Sequence, residues 1–428
     1  MNARTLIGKT LFLSASHFFV RLIGFVMRIW LSRELGAQAM GLVELAQSAQ
    51  MLLITPVVSG LPAAVSRMCA KSDHKEQVRI LRSGMGLALF VSIPLTLLAF
   101  FLREPLALWL GDIRTLPALL CFLPCIPVLG VSCALNGYYY GTGRPVPPAA
   151  CEALEQIVRF FLTVRLVQML RGWPVMLRAA APAAASLLGE TAALVLMLLL
   201  SARPVLFSRA QGSRRTVYRE MIALSLPLTG MRLVSSLMRT AQSVLIPARL
   251  QLSGLTGTQA LSQFGMMSGM LMPVLMIPSF ITCSLSMVAQ PEITRRQSEG
   301  SPYRRMIMRL LLGTLALGAF SMLGVYLFAP LFAHTLYREP MLLALIRRCC
   351  ALIPVMALSQ VVSGLMNALG LQSTSLRIAL ASSFVSVMLM YILAALPQLG
   401  LYGALIAMAV SQLLTLLCSL RALLHARH

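Results

Sequence analysis

Arg21-Leu22-Ile23-Gly24-Phe25-Val26-Met27-Arg28 plants two arginines inside an apolar helical stretch, and Arg232-Leu233-Val234-Ser235-Ser236-Leu237-Met238-Arg239 repeats the phrase in the second half of the chain. An arginine at the centre of a bilayer costs about 2.5–3.5 kcal/mol on insertion scales. A purely structural membrane bundle has no use for four of them. Recurring at equivalent places, they predict a cationic chamber between two halves, and the guest that suits such a chamber is an anion.

Around these phrases the composition is that of a membrane protein. Hydrophobic residues make up 58% of 428 and charged residues 11%, against roughly 25% charge in a soluble domain. Apolar stretches able to cross about 30 Å of hydrocarbon as helices recur along the chain. They lie near residues 10–32, 41–66, 81–102, 116–136, 149–170, 177–201, 220–246, 259–288, 307–328, 345–366, 376–396 and 401–423. The expected fold is therefore all-α and polytopic, with about twelve transmembrane helices. Arg21 and Arg28 interrupt the first apolar run, so it reads as a retained helix and not a cleaved signal.

Basic residues concentrate in three of the intervening segments: Arg67, Lys71, Lys75, Arg79 and Arg82; Arg203, Arg209, Arg214, Arg215 and Arg219; and Arg295, Arg296, Arg304, Arg305 and Arg309. Such residues stay on the cytoplasmic side, which places both termini in the cytoplasm. The net charge of +23 then reads as orientation signal and attraction to anionic membrane lipids, not as a nucleic-acid surface. The nine cysteines show no metal-ligand spacing, so neither metal nor cofactor is expected. A paired-aspartate motif and a Ser/His/Asp constellation are both missing, which argues against an enzyme.

Weaker echoes follow the arginine phrase in order. Ala37-Gln38-Ala39-Met40 parallels Thr258-Gln259-Ala260-Leu261, and Ile126-Pro127-Val128 parallels Ile353-Pro354-Val355. Six spans per half, an even number, make the repeats parallel about an axis along the membrane normal. The expected organisation is an N-terminal six-helix lobe over 1–201, a basic cytoplasmic linker over 202–218 and a C-terminal six-helix lobe over 219–428.

Arg21 and Arg28 stand about two helical turns apart and share a face, with His17 one turn earlier. Arg21 and Arg232 fall near the midplane, Arg28 and Arg239 toward the outer leaflet. Each guanidinium fork can donate paired hydrogen bonds to phosphate oxygens and stays charged, which suits a diphosphate. The alternative is snorkelling or pairing with an acid. Glu44 is within reach in the second span. Glu152 and Glu155 form a stripe with Arg159 in the fifth, where Glu155 and Arg159 have the favourable order for an intrahelical pair; the stripe is either a gate or a local ion pair. Glu190 is a candidate proton or cation site. Pro56, Pro62, Pro273 and Pro278 are candidate hinges, through the backbone hydrogen bonds they omit. The glycine-rich stretch Asn136–Gly143 lacks a preceding strand and a P-loop lysine and reads as a short turn.

Arg21-Leu22-Ile23-Gly24-Phe25, Arg28-Ile29, Leu31-Ser32-Arg33-Glu34-Leu35-Gly36 and Met40-Gly41-Leu42 resemble the opening signature of the stage V sporulation protein B-like polysaccharide transporters. These are relatives of the lipid II flippases within the multidrug, oligosaccharidyl-lipid and polysaccharide exporter superfamily. The resemblance implies a MATE-like fold and a cationic cavity, carried onto Arg21, Arg28, Arg232 and Arg239, that accepts the diphosphate of an undecaprenyl-linked sugar. It implies a flippase of the bacterial cytoplasmic membrane moving a cell-wall or spore-cortex precursor outward, with cell-wall synthesis enzymes as candidate partners. The chain is shorter than many relatives by a pair of spans that often forms a groove for the lipid tail. Two rival readings stay open. A cation-coupled multidrug antiporter of the same fold calls for acidic or aromatic pockets, whereas aromatics are 7% of this chain. A non-transporting scaffold for envelope assembly would act through the basic loops.

Overall fold

The computed structural model describes residues 3–200, 214–299 and 304–425, and its regular structure there is helical throughout. Hydrocarbon offers backbone N–H and C=O groups no partner, so a chain this apolar satisfies them within helices. α1 (Ala3–Val58) holds two helical segments that meet at Gly36, where φ of 79° and ψ of 170° leave the helical region. Glycine tolerates that backbone and other residues are strained by it.

After α2 (Leu61–Cys69) and α3 (His74–Phe101) come the short α4 (Arg103–Trp109) and α5 (Leu116–Phe122). Then follow α6 (Cys125–Gly141), α7 (Val146–Met169) and α8 (Val175–Leu200). The second half runs through α9 (Arg214–Leu252), α10 (Gly257–Gly265), a π-helical segment (Met266–Leu271), α11 (Met272–Leu275), α12 (Ile277–Ser298) and α13 (Arg304–Leu327). A second π-helical segment (Leu331–Leu336) leads to α14 (Met341–Cys349), α15 (Leu352–Ala368), α16 (Gln372–Leu393) and α17 (Leu401–His425). Among the described residues, 7 helices are long and apolar enough to cross a membrane, or 10 if each of 3 bent pairs is one span. Of the expected linker, residues 202–213, with Arg203 and Arg209, lie outside the described residues, and 214–218 open α9. Both aspartates cap helical turns. Asp73 accepts from the Glu76 N–H at 3.0 Å, and Asp112 from that of Arg114 at 2.9 Å.

The chain forms two compact units, one of residues 1–24 and 45–240, the other of 25–44 and 241–428. Each is therefore built from separated segments, and α1 and α9 contribute to both. In the first unit, Leu61, Val65, Ile80, Leu135 and Met221 form one core, and Val57, Phe122, Leu123 and Ile126 a second. Here α6 lies on α2 at its glycines: a methyl at Gly137 would stand 2.6 Å from the Pro62 carbonyl oxygen, and one at Gly141 2.6 Å from that of Ser66. This corrects the reading of Asn136–Gly143 as a turn. The stretch is helical to Gly141 and buries Tyr138 and Tyr139. Small residues one turn apart mark a close helix crossing.

A second correction concerns the prolines. Pro62 and Pro278 stand in the first turns of α2 and α12, where an N–H has no intrahelical partner to lose, whereas Pro273 lies where the π-helical segment runs on into α11. Pro56 is interior to α1. The chain breaks instead at Ser59-Gly60 and at Met276, where the axis turns by 47°.

In the second unit, Ile293, Val361, Leu365, Met366 and Leu416 form the core. The segments around Gly41 and Gly265 meet here, backbone to backbone. A methyl at Gly41 would collide with the Leu261 carbonyl oxygen, and one at Gly265 with that of Ala37. Gly265→Ala is accordingly expected to destabilise the protein by about 1–3 kcal/mol through overpacking. Gly313→Ala, whose added methyl meets nothing within 4 Å, is expected to be neutral. Thermal unfolding of the two purified variants in detergent reads the difference, and equal midpoints would contradict a tight crossing.

Candidate functional site

Of the four repeat arginines, Arg28 has an internal partner. Its Nη2 donates to Glu44 Oε1 at 2.5 Å, with side chains 30% and 14% exposed. The two are 16 residues apart, which a straight helix would hold about 24 Å apart. They stand equally far on either side of Gly36, so the break there folds the second segment of α1 back on the first. Tyr337, 1% exposed, lies within electrostatic reach of Arg28, and its hydroxyl has no hydrogen-bond partner among the described residues. The sequence carries no signal for that proximity, because Tyr337 is a single aromatic after an irregular helical segment.

Arg21 on α1, and Arg232 and Arg239 on α9, are exposed. Among the described residues no hydrogen bond or ion pair engages Arg21 or Arg232. Arg239 is followed by buried Thr240, whose hydroxyl donates to the Ser48 carbonyl at 2.9 Å and fastens α9 to the second segment of α1. The backbone of His17 belongs to α1, and its side chain lies outside the described residues.

A second polar cluster lies within the first unit. Glu155 and Arg159 form the intrahelical ion pair their spacing predicts. Glu190 on α8 is 6% exposed and has Arg159 and Glu152 of α7 as charged neighbours. The Ser132 hydroxyl of α6 faces it without completing a hydrogen bond. Gly189 permits this approach, since a methyl there would stand 3.0 Å from the Glu155 carbonyl oxygen. Arg159 Nε, Gln156 Oε1 and Thr163 Oγ1, all on α7, are also buried without hydrogen-bond partners among the described residues. Native interiors leave few such atoms unmet, so α7 and α8 hold a buried polar cluster that is incompletely satisfied among the described residues. The sequence presents the α7 stripe and Glu190 as separate features. Packing of α8 on α7 makes them one.

The sequence profile of a family described as "Polysaccharide biosynthesis protein" matches residues 6–297. The chain is 27% identical over 434 residues to stage V sporulation protein B of Bacillus subtilis (strain 168), with 97% of this chain and 83% of that protein covered. Among solved structures it is similar to the lipid II flippase MurJ in an inward closed conformation, with a TM-score of 0.76 at 13% identity, covering 96% of this chain and 87% of that one. It is also similar to an inward-facing multidrug resistance MATE family transporter of the MOP superfamily, with a TM-score of 0.73 at 16% identity, covering 95% and 94%. At these identities the two structures speak for the fold.

The Arg28–Glu44 pair is open to a double-mutant cycle. Arg28→Gln and Glu44→Gln are each expected to lower the unfolding temperature, because each strands a half-buried charge. The double variant should recover part of the loss, with a coupling of about 0.5–3 kcal/mol. Strictly additive losses would mean that the contact contributes nothing.

Proposed function

The chain belongs to the polysaccharide biosynthesis protein family and has the fold of the MOP superfamily transporters, and on that premise we propose that it is a flippase for a diphosphate-bearing, lipid-linked saccharide. The cargo is an undecaprenyl diphosphate-linked precursor of cell wall or spore cortex. It is moved by alternating access from the inner to the outer leaflet of the bacterial cytoplasmic membrane. The likeness to a Bacillus sporulation protein supports that setting.

One observation carries this reading. Arg21 and Arg232 sit in apolar helices, exposed, with no carboxylate engaged among the described residues. Such side chains are expensive in a membrane unless an anion meets them, and a diphosphate meets them with paired, charge-assisted hydrogen bonds. Arg28 and Arg239 extend the same stripes on α1 and α9. Moving one negative charge outward against an inside-negative potential releases about 2.3 kcal/mol per 100 mV, so the membrane potential favours the proposed direction.

About twelve spans with both termini in the cytoplasm fit this reading. The apolar stretch Phe18–Cys69 holds two of the expected spans, and α7, charged at Glu152, Glu155, Arg159 and Arg165, falls outside the ten. The pocket of Glu190, Glu152, Glu155 and Arg159 is the coupling or gating element, since a buried carboxylate among unmet polar atoms suits a proton or cation. Pro56 and the breaks preceding Pro62 and Pro278 are its bending points.

The test is translocation of a fluorescent undecaprenyl diphosphate sugar by purified protein in proteoliposomes. Arg21→Ala combined with Arg232→Ala is expected to abolish flipping while leaving insertion and unfolding temperature unchanged. Flipping at the native rate in that variant would refute the assignment. Glu190→Gln is expected to slow turnover without weakening cargo binding.

A further inference from the structure

α12 and α13 line an open cavity of about 710 Å³ within the second unit, far along the chain from the repeat arginines. Arg296, Arg305 and Arg309 form its polar wall, Met306, Leu310 and Gly313 much of its apolar wall, and no carboxylate lines it. The acids beside it in the chain are engaged by arginines: Glu292 accepts from Arg296 Nε at 2.7 Å and from Arg295 at 3.0 and 3.1 Å, and Glu299 accepts from Arg295 at 3.3 Å. Among the described residues Arg305 and Arg309 meet no carboxylate. The first turn of α13 holds no acid either, although a helix start favours negative charge. Arg305 and Arg309, beside an Arg296 already held by Glu292, thus border a space that no carboxylate lines among the described residues.

The matching hairpin of the first half, α2 and α3, shows what a self-sufficient version looks like. Its cavity, about 380 Å³, is also basic, with Arg67, Lys71 and Arg79. It carries two carboxylates, Glu76 and Glu220, and the start of α9 forms one wall through Val217 and Leu224. Among the described residues, the second-half cavity is lined by no third helix and by no acid.

We propose that the α12–α13 cavity binds the phosphate headgroup of an anionic membrane lipid, with an acyl chain laid along α13. Guanidinium forks match phosphate oxygens in paired geometry, and the volume falls within the range of small-ligand sites. The apolar side decides for a lipid over a free anion. Below Arg305 and Arg309, α13 continues as a membrane-length helix with Leu312 58% exposed and Leu315 45% exposed. A headgroup held by the arginines therefore has a hydrocarbon-facing surface directly beneath it. The site is separate from the proposed cargo arginines and stands whether or not the chain is a flippase.

Native mass spectrometry of the purified protein with phosphatidylglycerol, phosphatidylcholine or inorganic phosphate tests this. Phosphatidylglycerol should be retained in preference to phosphatidylcholine, and Arg305→Gln with Arg309→Gln should weaken that retention by about tenfold or more. Arg305→Lys with Arg309→Lys, keeping the charge and losing the fork, should fall between. Arg67→Gln with Lys71→Gln should retain phosphatidylglycerol like the native protein. Equal retention by the glutamine variant, equal binding of both lipids, or displacement of phosphatidylglycerol by equimolar inorganic phosphate would overturn the assignment. Unchanged unfolding temperatures of the variants without lipid show that a loss is not misfolding.

Discussion

The scarcity of carboxylates governs this molecule. Thirty-six lysines and arginines face 13 acids, and a buried charge without a partner is costly. Three of the acids inside or beside the spans are committed to arginines: Glu44 to Arg28, Glu155 to Arg159, Glu292 to Arg295 and Arg296. Where a carboxylate stands, the neighbouring arginine is part of the scaffold. Where none stands among the described residues, as at Arg21, Arg232, Arg305 and Arg309, the cation is the one proposed to meet an anion from outside the chain. Composition alone gives an excess of cations. The placement of a handful of glutamates says where.

Helix packing follows a different rule. Lipid gives helices little hydrophobic reason to associate, so close van der Waals contact through small residues does much of the work. Gly41 with Gly265, and Gly137 and Gly141 on α2, are such contacts, tight enough to exclude even a methyl group. Gly189 belongs to the same class but has a second effect, bringing a buried glutamate beside α7. A packing glycine there helps to create a polar site.

Features that repeat along one dimension were legible from the residues. Spans expected at 81–102, 376–396 and 401–423 overlap α3, α16 and α17 closely, because hydropathy is a property of consecutive residues. The Glu155–Arg159 pair was legible for the same reason, being one helical turn apart. The Arg28–Glu44 contact depends on a break at Gly36, and the Glu190 pocket on which helix lies beside which. Neither leaves a periodic trace. The glycines of Asn136–Gly143 misled because glycine serves both turns and helix crossings, and only the partner, α2, tells them apart. Pro62 and Pro278 likewise mark helix starts, where the same residue has the opposite meaning from a mid-helix kink.

The interleaved membership of the two units bears on how the protein is made. Residues 25–44 leave the ribosome long before residues 241–428 exist, yet they compact with them. The opening half of α9, synthesised after the 202–213 segment, completes the earlier unit. The first unit is complete only when residue 240 has been made, and residues 25–44 of the second must wait in the bilayer for neighbours that arrive later still. Severing the chain at the apparent boundary near residue 202 would yield two fragments, each lacking a piece of itself and each holding a piece of the other.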